Sequence, residues 1–144
     1  MTQTLIDNTE IQIPRKLTNQ LLHLAQLSPG EEICGLVGSQ KGLPVTCYPV
    51  ANVAELPRQR FLLDAKQQIA AMADMRENGE DLFAIYHSHP NAPAQPSTYD
   101  LEAAAYPDAL YLIISLNIKG VLEMRGFKIS QQNAREVVLT LLEK

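Results

Sequence analysis

The stretch Leu82-Phe83-Ala84-Ile85-Tyr86-His87-Ser88-His89-Pro90 decides the fold, because it is continuously apolar as far as Tyr86 and turns polar only at its end. Such a run, with two aromatic residues in it, is expected as a central strand covered on both faces. Side chains two apart on a strand share a face, so His87 and His89 point one way and Ser88 the other. The chain has three histidines, and two of them stand here. Asp100 follows eleven positions after His89, behind a proline-spaced loop and Ser97-Thr98-Tyr99. Two imidazoles on one face can reach one ion, and Asp100 supplies a third ligand where the loop returns it to the strand end. Three protein ligands leave a fourth position open, the arrangement of a catalytic rather than a structural zinc.

Outward from this strand, the pattern alternates strands and helices. Residues 1–10 are polar and expected to be flexible, and Glu10 to Ile13 alternates like a short strand that stops at Pro14. Leu17, Leu21 and Leu24 recur at helical spacing, with Pro14 at the start and Ser28-Pro29-Gly30 as the stop. Glu31 to Gly38 and Leu43 to Val53 read as an antiparallel hairpin around Ser39-Gln40-Lys41-Gly42. Asp64 caps a helix expected to run through Ile69, Met72, Ala73 and Arg76 to Asn78-Gly79. After the histidines come a short helix over Ser97 to Ala105 and strands over Leu110 to Leu116 and Val121 to Ile129. Glu136 to Leu142 reads as a strand rather than a helix, because Val137, Val138 and Thr140 are β-branched. The order β-α-β-β-α-β-α-β-β-β describes an α+β arrangement, a mixed sheet flanked by helices.

At 144 residues the chain fits one domain, 1–144, with no internal repeat or linker. A net charge of −4 and the absence of any Lys or Arg run argue against nucleic acid or an anionic membrane surface as the main partner. The longest apolar run, Ala109 to Leu116, falls well short of a membrane span, and the polar start lacks a signal-peptide pattern, so a cytoplasmic location is expected. Cys34 and Cys47 form no zinc-knuckle spacing and read as small buried residues. His23, beside a helical apolar stripe, reads as a surface or packing histidine, and Met72 and Met75 as helix packing.

Ser97-x-x-Asp100 has a second reading: a capping box at a helix start. Taken singly, that reading competes with a ligand role for Asp100; taken together, His87, His89, Ser97 and Asp100 around one loop favour a metal.

The string His87-Ser-His89-Pro, seven residues from Pro90 to Pro96, then Ser97-x-x-Asp100 resembles the signature of the JAMM metalloproteases, also called the MPN-plus domain. Upstream, Glu32-Ile-Cys-Gly-Leu-Val-Gly is similar to the family's other motif, a Glu shortly before a glycine-containing strand. The resemblance extends over nearly the whole chain and is closest to the small bacterial type. It implies a JAMM/cytidine-deaminase-like sandwich in which Zn2+ is held by His87, His89 and Asp100 with water as fourth ligand. Glu32 would be the general base that takes that water's proton, and Ser97 would help to stabilise the tetrahedral oxyanion. The motif H-E-x-x-H and the deaminase pattern H-x-E with P-C-x-x-C are both absent. Glu31 matches the motif less well than Glu32 and reads as a solvated neighbour.

The resemblance further implies amide hydrolysis at the C-terminal Gly-Gly tail of a ubiquitin-like sulfur-carrier protein, laid out as an extended strand. Asn52, Arg60 and Phe61 lie in a connection that could help to bind that tail, although an ordinary exposed loop is the favoured reading of them. Two other readings stay open. One is a noncatalytic interaction module, against which all five functional positions stand. The other is a DNA-repair-associated role, against which the acidic balance stands.

Overall fold

Alternate residues of the decisive strand enter two different apolar clusters, Ala84 and Tyr86 in one and Ile85 in the other. A strand covered on both faces is therefore what the apolar run builds. The computed structural model describes residues 5–143. Its elements are β1 (Leu5–Pro14), α1 (Arg15–Gln26), β2 (Cys34–Gln40), β3 (Leu43–Val50), α2 (Ala65–Glu77), β4 (Asp81–His89), α3 (Thr98–Ala103), β5 (Leu110–Ser115), β6 (Glu123–Ser130) and β7 (Asn133–Leu142). The strands form one mixed sheet in the order β1-β7-β6-β5-β4-β2-β3. β4 pairs antiparallel with β2 and parallel with β5, which sets His87 between Cys34 and Ile113.

One face of the sheet is covered by α1, whose Leu17, Leu21 and Ala25 pack with Val37, Tyr86 and Leu112. The other face packs Leu36, Ile85 and Ile113 against Ala71 and Met75 of α2. His87 and His89 share strand parity with Ile85, so they emerge on the α2 side. The edge strands β1 and β3 approach each other, and α1 touches β1, β3, β5 and β7. The sheet thus curls around α1. Among the described residues, no helix is long and apolar enough to cross a membrane.

Two local expectations are corrected, at β1 and at the end of α3. Residues 5–10, expected to be flexible ahead of a short strand, belong to the ten-residue β1; the part of that expectation falling on residues 1–4 lies outside the described residues. β1 is ordered by parallel pairing with β7, from Leu5 opposite Arg135 to Pro14 opposite Leu142. Backbone pairing at a sheet edge asks little of side chains that face solvent, so composition is a poor guide there.

In α2, Met75 is buried and Met72 packs against the same cluster, as expected of the pair, and Ala71 joins them inside, whereas Ile69 is 68% exposed. The rotation of α2 is set at the first turn. Asp64 caps Gln67 N–H at 3.0 Å and donates its own N–H to Ala51 O, while Gln67 Oε1 accepts from Ala51 N–H at 2.7 Å. Gln67, Ala71 and Met75 follow one another at four-residue intervals, so tying Gln67 to the end of β3 turns the other two inward. α3 ends at Ala103 rather than Ala105. The Tyr111 hydroxyl accepts the N–H groups of Ala105 and Tyr106, at 3.1 and 3.0 Å, and so holds them outside the helix.

Candidate metal centre

β4 delivers both histidines at its carboxyl end, 1% and 3% exposed. His87 Nε2, His89 Nε2 and Asp100 Oδ2 lie 3.1 Å from one another along all three edges. Two ring nitrogens and a carboxylate oxygen this close cannot all be satisfied by hydrogen bonds among themselves when each contributes a lone pair. A cation satisfies them together. Tetrahedral zinc with donors at about 2.0–2.1 Å separates those donors by about 3.3 Å, so the triangle fits such an ion closely. His89 Nδ1 lies 2.8 Å from Pro93 O. Donation there leaves the Nε2 lone pair free to ligate, the tautomer that carbonyl partners impose on metal-binding histidines. His87 is oriented differently: its ring stacks on Phe61 at 4.3 Å between centroids, and its buried Nδ1 has no partner.

Asp100 arrives through α3. Ser97 Oγ accepts from Asp100 N–H at 3.0 Å, and Asp100 Oδ2 accepts from Ser97 N–H at 2.9 Å, forming a capping box. The two readings of Ser97-x-x-Asp100 are thus not alternatives in space. One carboxylate oxygen caps the helix and also faces both histidines. Ser97 itself is partly exposed beside them.

Glu32 comes from the segment just before β2, and its carboxylate lies within 4.8 Å of the ligand atoms of His87 and His89. It is 4% exposed, and its Oε1 has no hydrogen-bond partner. Its placement is made by backbone contacts. Glu32 N–H donates to Pro57 O at 2.8 Å and Glu32 O accepts from Asn52 Nδ2 at 2.9 Å. The next residue, Ile33, pairs with Ser88 through its N–H to Ser88 Oγ and its carbonyl to Ser88 N–H. Ser88 was read only as the residue facing away from the histidines. A serine at 0% exposure in a buried strand demands a partner, and that demand is the signal that finds it.

The connection between β3 and α2 closes the site. Asn52 joins it internally, donating to Arg60 O and accepting the N–H groups of Ala54 and Leu62 through Oδ1, all at 3.0–3.1 Å. Phe61 lies on His87, and the Arg60 guanidinium lies over the ring of Tyr99 at 4.5 Å. This loop is therefore built onto the Glu32, His87 and α3 segments rather than being an ordinary exposed connection. Cys34 is buried, donates Sγ to Val50 O at 3.4 Å, and lies outside the donor cluster. His23 is exposed on α1, far in sequence from the site.

Electrostatics follow from burial in a dry, charged setting. Burial pushes the Glu32 carboxyl up to about 7, against the pull of His89 and with a further push from Asp100. Burial lowers His87, in spite of Asp100 beside it. Burial opposes the charged form of His89 too, but Asp100 and the Pro93 carbonyl outweigh it and raise the group. For Asp100, burial works against ionisation, yet His87, His89 and the Ser97 N–H hold its carboxyl well below the usual carboxylate range.

Comparison with known proteins places this geometry in a family. The model for prokaryotic homologs of the JAB domain matches residues 14–129, which include all five candidate residues. Desampylase of Haloferax volcanii is 38% identical over 89 residues, 60% of this chain, and the chain spans only 64% of that relative. CysO-cysteine peptidase of Mycobacterium tuberculosis is 28% identical over 130 residues, covering 89% of this chain and 88% of that one. A solution structure from Desulfitobacterium hafniense superposes with a TM-score of 0.83 at 32% identity, covering 93% and 94% of the two chains. The chain belongs to the prokaryotic homologs of the JAB domain, the small bacterial branch of the JAMM family that its His-x-His-Pro and Ser-x-x-Asp spacing resembles.

Proposed function

We propose that this chain is a zinc-dependent metallopeptidase that hydrolyses an amide bond at the C-terminal Gly-Gly tail of a ubiquitin-like sulfur-carrier protein. The observation that carries this reading is the triangle of His87 Nε2, His89 Nε2 and Asp100 Oδ2, each 3.1 Å from the others, with the Glu32 carboxylate beside it. His87, His89 and Asp100 would hold the ion. Bound there, zinc would lower the pKa of water to about 7 and polarise the scissile carbonyl. Glu32 accepts a proton from the attacking water at its unpartnered Oε1 and passes it to the departing amine. Burial raises the Glu32 carboxyl and a bound cation would draw it back down, so a carboxylate is available to take the proton. Ser97 Oγ accepts a hydrogen bond from Asp100 N–H, which leaves the hydroxyl proton to donate to an oxyanion.

The substrate class is supported by the names of two relatives, a desampylase and a CysO-cysteine peptidase. β4 is paired on both sides and offers the tail no edge. The loop of residues 51–63, whose arms pair through the Asn52–Leu63 bridge around a turn at 57–59, flanks both Glu32 and His87. The test is cleavage of a Gly-Gly-tailed carrier bearing a C-terminal adduct by zinc-loaded protein. Release of the adduct after the last glycine supports the reading. No cleavage across several such carriers with zinc bound rejects it.

A further inference from the structure

A well of about 260 Å³ opens beside the donor triangle. His87 and Asp100 form one side of it, Phe61 and Tyr99 stand next to them, and Ile85 and Ala103 help to make its lining apolar. Arg60 does not line the well, but its guanidinium carbon sits 4.5 Å from the centroid of the ring of Tyr99, which does, so a cation stands next to the well. Arg60 is partly buried, and its Nε is buried with no acceptor. Arg15 and Arg125 are matched to carboxylates of this chain, and Arg60 is the arginine among the described residues with a buried, unpartnered side-chain N–H. A buried guanidinium N–H without an acceptor is unfavourable, and the planar fork of donors matches a carboxylate in bidentate fashion.

The side of the scissile bond that enters the well follows from chemistry. A glycine tail has no side chain to fill an apolar pocket, so the well serves the leaving group. We propose that Arg60 is a specificity residue that pairs with the free α-carboxylate of a leaving group consisting of one small amino acid, whose side chain enters the well. This rests on the amide-hydrolase reading above. Hydrolysis adds the water oxygen to the carbonyl carbon and breaks its C–N bond. The tail becomes a carboxylate, and both water hydrogens end on the departing nitrogen as ammonium. A lysine joined through its ε-amine within a protein presents no carboxylate at this place, so the pocket selects amino-acid adducts over isopeptides.

The test measures binding to zinc-loaded Glu32→Gln protein of two peptides of one sequence ending in Gly-Gly-Ala, one with a free carboxylate and one as the carboxamide. The free carboxylate should bind about tenfold tighter. Adding Arg60→Gln should bring the two to equal affinity, and Arg60→Lys should restore part of the difference. Equal affinity in the Glu32→Gln protein, an equal loss for both peptides on adding Arg60→Gln, or no measurable binding of either peptide overturns the proposal. Turnover of the same peptides by protein that retains Glu32 judges the hydrolase reading separately. Carboxylate-dependent binding without cleavage rejects hydrolysis while sustaining the role of Arg60, and cleavage without carboxylate preference does the reverse.

Discussion

Ser88, the residue between the two histidines, holds Ile33 at both of its backbone groups: Ser88 Oγ accepts from Ile33 N–H at 2.8 Å and Ser88 N–H donates to Ile33 O at 3.0 Å. The strand that presents the histidines on one side thereby fixes, on the other, the residue next to Glu32. Ser88→Ala leaves the Ile33 N–H unpaired, at a cost of about 1–3 kcal/mol in stability. Zinc content should stay unchanged, while hydrolysis falls by up to about 100-fold because the base shifts relative to the ion. Metal analysis, a urea melt and kcat check this together; wild-type kcat in a folded Ser88→Ala protein would refute the positioning role.

Purified protein should carry about one zinc per chain, since a single triangle of donors fits one ion. His87→Ala should lose it. Elemental analysis decides the matter, and stoichiometric metal surviving in His87→Ala removes that residue from the ligand set.

Glu32→Gln should retain zinc and lose about 10²–10⁴ in kcat, the range of a general base. If zinc is lost as well, Glu32 is a ligand rather than a base. Near-normal turnover excludes both roles.

Metal-free protein should show a pH signature of the same residue. Burial raises the Glu32 carboxyl from 4.5 to about 7, so between those values the folded chain keeps a proton that the unfolded chain has released. Stability therefore falls as pH rises through that window, with the contribution fully present below 4.5 and lost above 7. Urea midpoints of chelator-treated protein at pH 5 and pH 8 should differ more in wild type than in Glu32→Gln. An equal difference in both places the titration elsewhere.

Gly35→Ala should be among the most destabilising single-methyl additions in the sheet. A Cβ there would overlap the Tyr86 hydroxyl and the Tyr48 carbonyl oxygen, neither of which can retreat from a packed sheet. Overpacking of this kind costs about 1–3 kcal/mol or more. A melting temperature within a degree of wild type would contradict the close approach of Tyr86 across β2.

The histidines, Ser97 and Asp100 were legible because they belong to one segment whose strand parity and capping pattern are written locally. Glu32 came only with the family resemblance. What places it is non-local: a pairing of Ile33 with Ser88, 55 positions away, and backbone bonds to Pro57 and Asn52. The element order was readable throughout, and the strand reading of residues 136–142 agrees with β7. The errors lay where partners outside the element decide. β1 is ordered by β7 at the other end of the chain, and α3 is ended by the Tyr111 hydroxyl at Ala105 and Tyr106.

Were Asp100 Oδ2 to ligate an ion, that shared oxygen would link ion occupancy to the folding of a six-residue helix. A helix that short does not persist without its cap. The ion would draw on the same Oδ2 that receives the Ser97 N–H, so the two events would bias each other by one coupling free energy, equal in both directions. Amide hydrogen exchange at Ser97 and Leu101 would become a gauge of whether the centre is filled, readable in protein that is turning over nothing.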